Sequence, residues 1–237
     1  EIIWLCRFLK KMGASIQGEG TEEILIEGGK IIQGADMQVP PDRIVAGTYL
    51  CAAAATRGRI EIQNPPQGEL TAFLEVYRKM GGQYEWNSGK LVADGSRVRF
   101  PVSMTETAAY PGFPTDLQSL LMAVLATIPG KSCILESVFE DRFKITGELN
   151  RMGAEIRTEG RKAWIRGTSD LQGGYLQAQE LRGGAALVIA ALAARGESIV
   201  EGYSFICRGY EDIVQDISDL GGKIKKDTGM TTYEYIQ

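Results

Sequence analysis

A short motif recurs along this chain at a nearly constant spacing. A large apolar residue, a glycine and a small residue stand together four times, starting at positions 12, 80, 152 and 220, so successive copies are 68, 72 and 68 residues apart. A fixed period of this kind is typical of a fold built from copies of one unit, each burying its apolar faces against its neighbours. The copies are Met12-Gly13-Ala14, Met80-Gly81-Gly82, Met152-Gly153-Ala154 and Leu220-Gly221-Gly222.

Two kinds of helix alternate around this motif. Each copy of the motif ends an amphipathic helical pattern, with its glycine predicted at the C-cap, and is followed by two short strands. Between the copies lie alanine-rich stretches that are apolar all round the helix, which predicts burial on every side. They are too short to span a bilayer. These stretches are 43–56, 116–128 and 180–194.

The predicted unit is therefore a buried helix, a strand, an amphipathic helix and two further strands. Residues 41–237 contain three such units. Their buried helices are expected to meet at one centre, with the sheets and the amphipathic helices outside them. The sequence thus predicts an α/β domain that has helices at its centre.

The composition disfavours several classes of function. A net charge of −4 without a basic block argues against binding to nucleic acid or to a membrane surface. The chain has no histidine, so neither a zinc site nor a Ser-His-Asp triad is expected. The four cysteines are far apart and no signal segment is evident, which indicates reduced thiols in a cytoplasmic protein. No metal and no organic cofactor is predicted.

The string YPGFPTDLQ, residues 110–118, joins a stiff loop to the start of the second apolar stretch. Pro111 and Pro114 each fix one backbone dihedral angle, and Thr115 and Gln118 have the spacing of a capping box. Asp116 is then expected in the first helical turn. The loop either caps the helix and has no further role, or presents the Asp116 carboxylate to a ligand.

Together with ESVFEDRF at 136–143, this string closely resembles the UDP-N-acetylglucosamine enolpyruvyl transferases. The resemblance continues through PDRIVAGT (41–48), ELNRMGA (148–154) and RGYE (208–211), and it covers nearly the whole chain. It implies an inside-out α/β barrel of the enolpyruvyl transferase type, with three units per domain.

Members of this family are longer than the present chain, which opens inside a helical pattern (Ile2, Leu5, Phe8). The resemblance therefore implies the C-terminal half of an enzyme. Residues 1–40 are expected to be the tail of the other domain and the crossing from it, and residues 41–237 to be the three-unit domain.

The family transfers the enolpyruvyl group of phosphoenolpyruvate to the 3-hydroxyl of UDP-N-acetylglucosamine and releases phosphate, which is the first committed step of bacterial peptidoglycan synthesis. This chemistry needs a base for the hydroxyl, an acid for the methylene carbon, and cations for phosphate and carboxylate. The implied partners are the two substrates and the missing N-terminal half, which would carry the family's reactive cysteine loop.

The resemblance also implies roles for single residues. Asp116 matches the aspartate that orients or deprotonates the sugar hydroxyl, and Arg208 matches the arginine near phosphoenolpyruvate, so both are predicted to be catalytic. Glu211 is the alternative, structural partner of Arg208. Val138 matches a residue whose backbone meets the nucleotide sugar, and Arg43 is expected on the substrate side of the first buried helix.

Two further arginines are predicted to bind substrate, and each has a structural alternative. Arg142 is expected either to contact an anionic substrate or to pair with Glu140 or Asp141. Arg182 is expected either to clamp the three-carbon substrate or to pair with Glu180. Guanidinium suits both phosphate and carboxylate because its donors form a planar fork.

The chain departs from the family pattern at three positions close to the predicted site residues. Glu180 and Gly183 stand where the family usually has aspartate and alanine, and Cys207 replaces an aspartate. Because glutamate is one methylene longer, the Glu180 carboxylate is expected to be displaced. Two alternatives to the main hypothesis follow: the sister enolpyruvyl transferase that acts on 3-phosphoshikimate, which the string at 110–118 disfavours, and a catalytically idle paralogue that binds a partner.

Overall fold

The computed structural model describes residues 1–29, 33–227 and, as backbone, 233–236. It divides into two compact units, Glu1–Pro41 and Asp42–Gln237. The smaller unit consists of helix α1 (Ile2–Lys11) and an antiparallel hairpin of β1 (Ser15–Gln17) and β2 (Leu25–Glu27).

The larger unit contains three passages of chain, each with a long apolar helix, a strand, one or two outer helices and an antiparallel pair of strands. In the second and third passages a short further strand precedes the apolar helix. The first passage comprises α2 (Arg43–Thr56), β3 (Arg59–Gln63), α3 (Thr71–Lys79), β4 (Gln83–Asn87) and β5 (Lys90–Asp94). The second comprises β6 (Thr105–Glu106), a 3-10 turn (Thr115–Leu117), α4 (Gln118–Ala126), β7 (Gly130–Leu135), α5 (Thr146–Arg151), β8 (Glu155–Glu159) and β9 (Lys162–Gly167). The third comprises β10 (Tyr175–Gln177), α6 (Leu181–Ala193), β11 (Ser198–Glu201), α7 (Tyr203–Ile206), α8 (Ile213–Asp219), β12 (Ile224–Lys226) and β13 (Tyr233–Ile236).

Each passage has its own sheet. The strand orders are β3-β5-β4, β6-β7-β9-β8 and β10-β11-β13-β12. The short strands β6 and β10 lie parallel to β7 and β11, and the remaining pairs are antiparallel. The turn predicted between the last two strands falls at 228–232, outside the described residues.

The three apolar helices form the centre of the larger unit. All nine residues of α4 are buried, as are ten residues of α2 and nine of α6. The three helices pack against one another, and the sheets and the amphipathic helices cover them. The predictions of an α/β fold and of three buried helices are therefore confirmed.

Local signals predicted some helix ends correctly. Helix α2 has the predicted bounds, with Asp42 as its N-cap. The predicted C-cap glycines, which follow α1, α3, α5 and α8, all adopt the left-handed conformation, with φ between 91° and 103°. These are Gly13, Gly81, Gly153 and Gly221.

The capping box predicted at the start of α4 is wrong. The Thr115 hydroxyl donates to the carboxylate of Glu136 instead of capping the helix, at 2.9 Å. A 3-10 turn through Asp116 precedes α4, which begins only at Gln118. The buried carboxylate of Glu136 needs donors, and this need outcompetes the local cap.

The N-terminal ends of the three central helices lie together. A side chain on Gly47 of α2 would meet Leu117, which precedes α4. Arg182, in the first turn of α6, lies 3.6 Å from Asp116. At the opposite end, Arg57 after α2 donates to the carbonyl of Thr127 after α4, at 3.1 Å. The helices are therefore parallel, and their dipoles direct partial positive charge to one end of the unit. Within the described residues, no helix is long and apolar enough to cross a membrane.

Candidate functional site

Asp116 lies at this end of the unit between two arginines. Its Oδ1 accepts a hydrogen bond from Arg142 Nη2 at 2.7 Å, and its Oδ2 lies 3.6 Å from Arg182 Nε. The side chain of Asp116 is 42% exposed, while those of Arg142 and Arg182 are 26% and 12% exposed. One carboxylate and two guanidinium groups leave the cluster with an excess of positive charge.

Arg182 retains hydrogen-bonding capacity. Among the described residues, its Nε and Nη1 atoms are buried without a hydrogen-bond partner. Buried donors are nearly always satisfied in proteins, so unmet donors beside an exposed carboxylate are typical of a ligand site. The excess positive charge and the helix N-termini favour an anionic ligand.

Tyr210 supports Arg182 and was not singled out by the sequence, although it lies in the RGYE string. Its ring centroid is 5.5 Å from the guanidinium carbon of Arg182, and its hydroxyl is 2.8 Å from the hydroxyl of Thr48 on α2. Burial raises the pKa of the Tyr210 phenol, against the opposing effects of Thr48 and Arg182. The phenol is therefore protonated at neutral pH.

The acidic residues named as structural alternatives do not pair with the guanidinium groups of Arg142 and Arg182 among the described residues, although Arg142 does form an ion pair, with Asp116. Glu140 pairs with Arg161, and Asp141 lies 3.5 Å from Lys144. The ion-pair partner of Arg142 is Asp116. The carboxylate of Glu180 accepts the backbone N–H groups of Arg182 and Gly183, at 3.2 and 2.7 Å, and so caps α6. It does not pair with the Arg182 guanidinium, and its extra methylene serves the cap.

Arg43 and Val138 have contacts outside this cluster. The guanidinium of Arg43, at the start of α2, lies over the ring of Tyr110 at 5.4 Å. Val138 is 36% exposed, and its N–H donates to Glu136 at 3.0 Å, so that N–H is already engaged within the protein.

Arg208 lies just after the short helix α7. The next residue, Gly209, is close to Arg182: a Cβ added to Gly209 would lie 3.1 Å from Arg182 Nη1. Arg208 is exposed, and within the described part of the chain it forms no ion pair with Glu211. Cys207 is exposed as well. The structure brings Asp116, Arg142 and Arg182 into contact and does not bring the Arg208 side chain onto them.

A cavity of about 300 Å³ adjoins the cluster, with Arg142, Phe139 and Glu136 in its wall. A larger cavity of about 650 Å³ lies at the outer sheet, next to Arg59 and Arg78. Of the described residues, none with a predicted role lines the larger one. We therefore choose the end with Asp116 and Arg182 as the candidate site because of its charge and its unmet donors, and not because of cavity size. Among the described residues, no group of three or more Cys, Asp and Glu side chains is placed to bind a metal ion.

Comparison with known proteins gives a consistent result. The sequence profile of the family "EPSP synthase (3-phosphoshikimate 1-carboxyvinyltransferase)" matches residues 1–217. UDP-N-acetylglucosamine 1-carboxyvinyltransferase 2 of Caldanaerobacter subterraneus subsp. tengcongensis is 43% identical over 224 residues, which are 94% of this chain and 54% of that protein. UDP-N-acetylglucosamine 1-carboxyvinyltransferase of Desulfofundulus thermocisternus is 42% identical over 93% of this chain and 90% of that protein. The chain spans about half the length of the first of these relatives and of two others, from Carboxydothermus hydrogenoformans and Kosmotoga olearia.

Solved structures agree on the fold. The enolpyruvyl transferase NikO from Streptomyces tendae superposes with a TM-score of 0.80 at 25% identity, over 90% of this chain and 51% of that one. EPSP synthase from Acinetobacter baumannii superposes with a TM-score of 0.64 at 19% identity, over 84% of this chain and 46% of that one. The second similarity is evidence for the fold alone.

Proposed function

The chain belongs to the enolpyruvyl transferase family, among the UDP-N-acetylglucosamine 1-carboxyvinyltransferases, and on that premise we propose that it is the C-terminal part of an enzyme that makes enolpyruvyl-UDP-N-acetylglucosamine. Phosphoenolpyruvate would be the donor and phosphate the second product. The observation that carries the proposal is the Asp116 carboxylate between Arg142 and Arg182, at the converging N-termini of three buried helices.

Asp116 accepts a hydrogen bond from the 3-hydroxyl of the sugar in this mechanism. The hydroxyl oxygen attacks the second carbon of phosphoenolpyruvate while a proton adds to the methylene carbon, which gives a tetrahedral ketal. Loss of a proton from the new methyl group and expulsion of phosphate then yield the enol ether. Asp116 orients the hydroxyl and takes its proton as the C–O bond forms. The donor to the methylene carbon belongs to the part of the enzyme outside this chain.

The arginines neutralise the two anionic groups of phosphoenolpyruvate. Arg182 has two unmet donors and is held against Tyr210, so it is placed to bind a carboxylate or phosphate oxygen. Arg208 is exposed and reaches the same substrate from the turn after α7 when the two halves of the enzyme close on it. Arg142, Val138 and Arg43 contact the nucleotide-sugar side.

The architecture proposed for this function is the inside-out α/β barrel. The three passages of the larger unit are its three repeated units, and residues 41–237 are the domain that they form. Residues 1–40 are the tail of the other domain and the crossing from it. Supporting observations are the separate compact unit Glu1–Pro41 and the helix-centred core. The net charge of −4 fits a cytoplasmic enzyme that binds neither nucleic acid nor membrane.

The experiment that tests this function measures phosphate release by the full-length protein that contains this chain. With phosphoenolpyruvate present, UDP-N-acetylglucosamine is expected to support steady release. Shikimate 3-phosphate as the acceptor is expected to support none. Release with shikimate 3-phosphate alone would assign the protein to the sister reaction, and release with neither acceptor would favour the idle paralogue.

A further inference from the structure

Glu136 is a buried carboxylate beside the candidate site to which the mechanism above gives no role. It follows β7 directly and is 1% exposed. Arg161 donates to its backbone carbonyl at 3.4 Å, and within the described residues no ion pair reaches its carboxylate. A carboxyl group at this depth needs hydrogen bonds from the protein in place of those from water. The contacts of the carboxylate therefore define what it does.

Four donors converge on the Glu136 carboxylate. Oε1 accepts from the Thr107 hydroxyl at 2.8 Å and from the backbone N–H groups of Val138 and Phe139, both at 3.0 Å. Oε2 accepts from the Thr115 hydroxyl at 2.9 Å. Two of these donors are backbone N–H groups and two are threonine hydroxyls. Both carboxylate oxygens of Glu136 are therefore hydrogen-bonded within the protein.

These donors belong to the two segments that carry the sugar-side contacts. Thr115 is the residue before Asp116, and Val138 is the predicted contact of the nucleotide sugar. The same two segments meet again where Arg142 donates to Asp116 at 2.7 Å. The two segments are therefore joined twice: by the buried hydrogen bonds of Glu136, which we call the tie, and by the partly exposed ion pair between Arg142 and Asp116.

The tie through Thr115 also determines where Asp116 lies. Because the Thr115 hydroxyl is engaged by Glu136, it does not cap α4, and the chain makes a 3-10 turn through Asp116 before the helix begins. A free Thr115 would be expected to cap the helix and move Asp116 with it.

We propose that Glu136 is a positioning residue for the transfer reaction. It fixes the Asp116 carboxylate relative to the Val138 backbone through Thr115 and the two amides, and it does not touch substrate. The inference rests on the proposed function, because its kinetic consequence needs that reaction. A misplacement of about 1 Å in such a site lowers rates by roughly 10²-fold.

Three variants of the full-length protein separate positioning from charge and from general stability. In Glu136→Gln, the side-chain oxygen can still accept the three hydrogen bonds that Oε1 accepts in wild type. The NH₂ group takes the place of Oε2 and can donate to the Thr115 hydroxyl oxygen. Thr115→Val removes only the tie to the Asp116 loop. Thr127→Val is the control, since it deletes another buried threonine hydroxyl, after the far end of α4.

Thr115→Val is expected to lower kcat by about 10- to 100-fold, with a smaller change in KM for the nucleotide sugar, because Asp116 is misplaced in the transition state. Glu136→Gln should stay within about five-fold of wild type, as the conservative rescue. Thr127→Val should match wild type in kcat even if its melting temperature falls.

Hydrogen exchange on the 237-residue chain gives a readout that needs no substrate. Glu136→Ala is expected to expose the amides of Val138 and Phe139 to exchange, and Glu136→Gln to keep both protected. Unchanged protection in Glu136→Ala would overturn the proposal. So would a Thr115→Val kcat equal to that of Thr127→Val, or a Glu136→Gln kcat as low as that of Thr115→Val. If the wild-type enzyme releases no phosphate, the proposed function fails and this role fails with it, whereas failure of the variants alone leaves the function intact.

Discussion

At the scale of single residues, the candidate site contains one carboxylate, Asp116, and two guanidinium groups, those of Arg142 and Arg182. Arg142 donates a hydrogen bond to Asp116, whereas the nearly buried Arg182 lies only at ion-pair distance from it, and its Nε and Nη1 atoms make no hydrogen bond among the described residues. A structural ion pair would be expected to satisfy both arginines. This imbalance is consistent with the proposed function, in which Arg182 binds an anionic substrate and Asp116 polarises the sugar hydroxyl.

Asp116→Asn in the full-length enzyme should separate these roles. Asparagine keeps the shape of the side chain but cannot accept a proton, so kcat is expected to fall by roughly 10²–10⁴-fold. The matched control is Asp170→Asn, which removes an aspartate paired with Arg195 at 2.8 Å, beyond the far end of α6. Steady-state phosphate release measures both. An Asp116→Asn enzyme within a few-fold of wild type would reduce Asp116 to a structural role.

The second residue-scale prediction concerns pH. Burial, followed by a hydrogen bond to Asp216 on α8, raises the pKa of the Tyr49 phenol on α2 well above its ordinary value. Because the folded-state pKa is raised, the protonated Tyr49 phenol contributes its full share to the free energy of unfolding below the unfolded-state pKa of about 10. That contribution is lost as the pH rises from there through the folded-state pKa. Wild type should therefore lose stability relative to Tyr49→Phe above about pH 10. Urea unfolding at about pH 8 and about pH 11 measures the difference. Parallel pH dependence of the two proteins would show that this phenol does not contribute.

At the scale of elements, periodicity was enough to predict the three buried helices and the glycine caps, because these signals are local. Periodicity did not predict β6 and β10, because strands of two and three residues are too short to show a clear alternation of apolar and polar residues. The contacts of the site could not be read from the sequence either. Thr115 and Glu136 are 21 residues apart, and Asp116 and Arg142 are 26 apart, so no local rule relates them.

The N-cap of α6 gives an element-scale prediction. A Cβ on Gly183 would lie 2.5 Å from Glu180 Oε1 and 2.6 Å from Ile145. Glu180→Asp would remove the first of these contacts and leave the second, so the two departures from the family pattern are expected to compensate for each other in part. Gly183→Ala is expected to destabilise the protein by about 1–3 kcal/mol, and by less when combined with Glu180→Asp.

A double-mutant cycle by chemical unfolding measures this coupling, expected at about 0.5–3 kcal/mol. Gly147→Ala is the control, because Gly147 lies in α5 with nothing within 4 Å of an added Cβ. That change should stabilise the protein by up to about 1 kcal/mol, since alanine is the better helix former. Additive effects of Glu180→Asp and Gly183→Ala would refute the compensation.

At the scale of the whole molecule, the two compact units differ in what they bury. The hydrophobic core cluster draws all its members from Ile44 onward. In the described part of the smaller unit, Cys6 and Ile16 are the buried apolar side chains, and Leu25 and Ile26 are each 64% exposed. The larger unit therefore contains the elements of an independent domain, whereas the smaller unit buries too little apolar surface to be stable alone.

Separate expression of the two units tests this difference. Residues 42–237 should unfold cooperatively, within about 1 kcal/mol of the complete chain, because the truncation removes no member of the core. A peptide of residues 1–41 should lack stable structure, since chains this short need disulfides, metals or partners to fold. Calorimetry of the first and circular dichroism of the second measure both outcomes. A folded peptide would show that it is a domain in its own right, and a non-cooperative residue 42–237 fragment would show that the core depends on it. The expected pair of results would support assigning residues 1–41 to a domain whose remaining residues lie outside this chain.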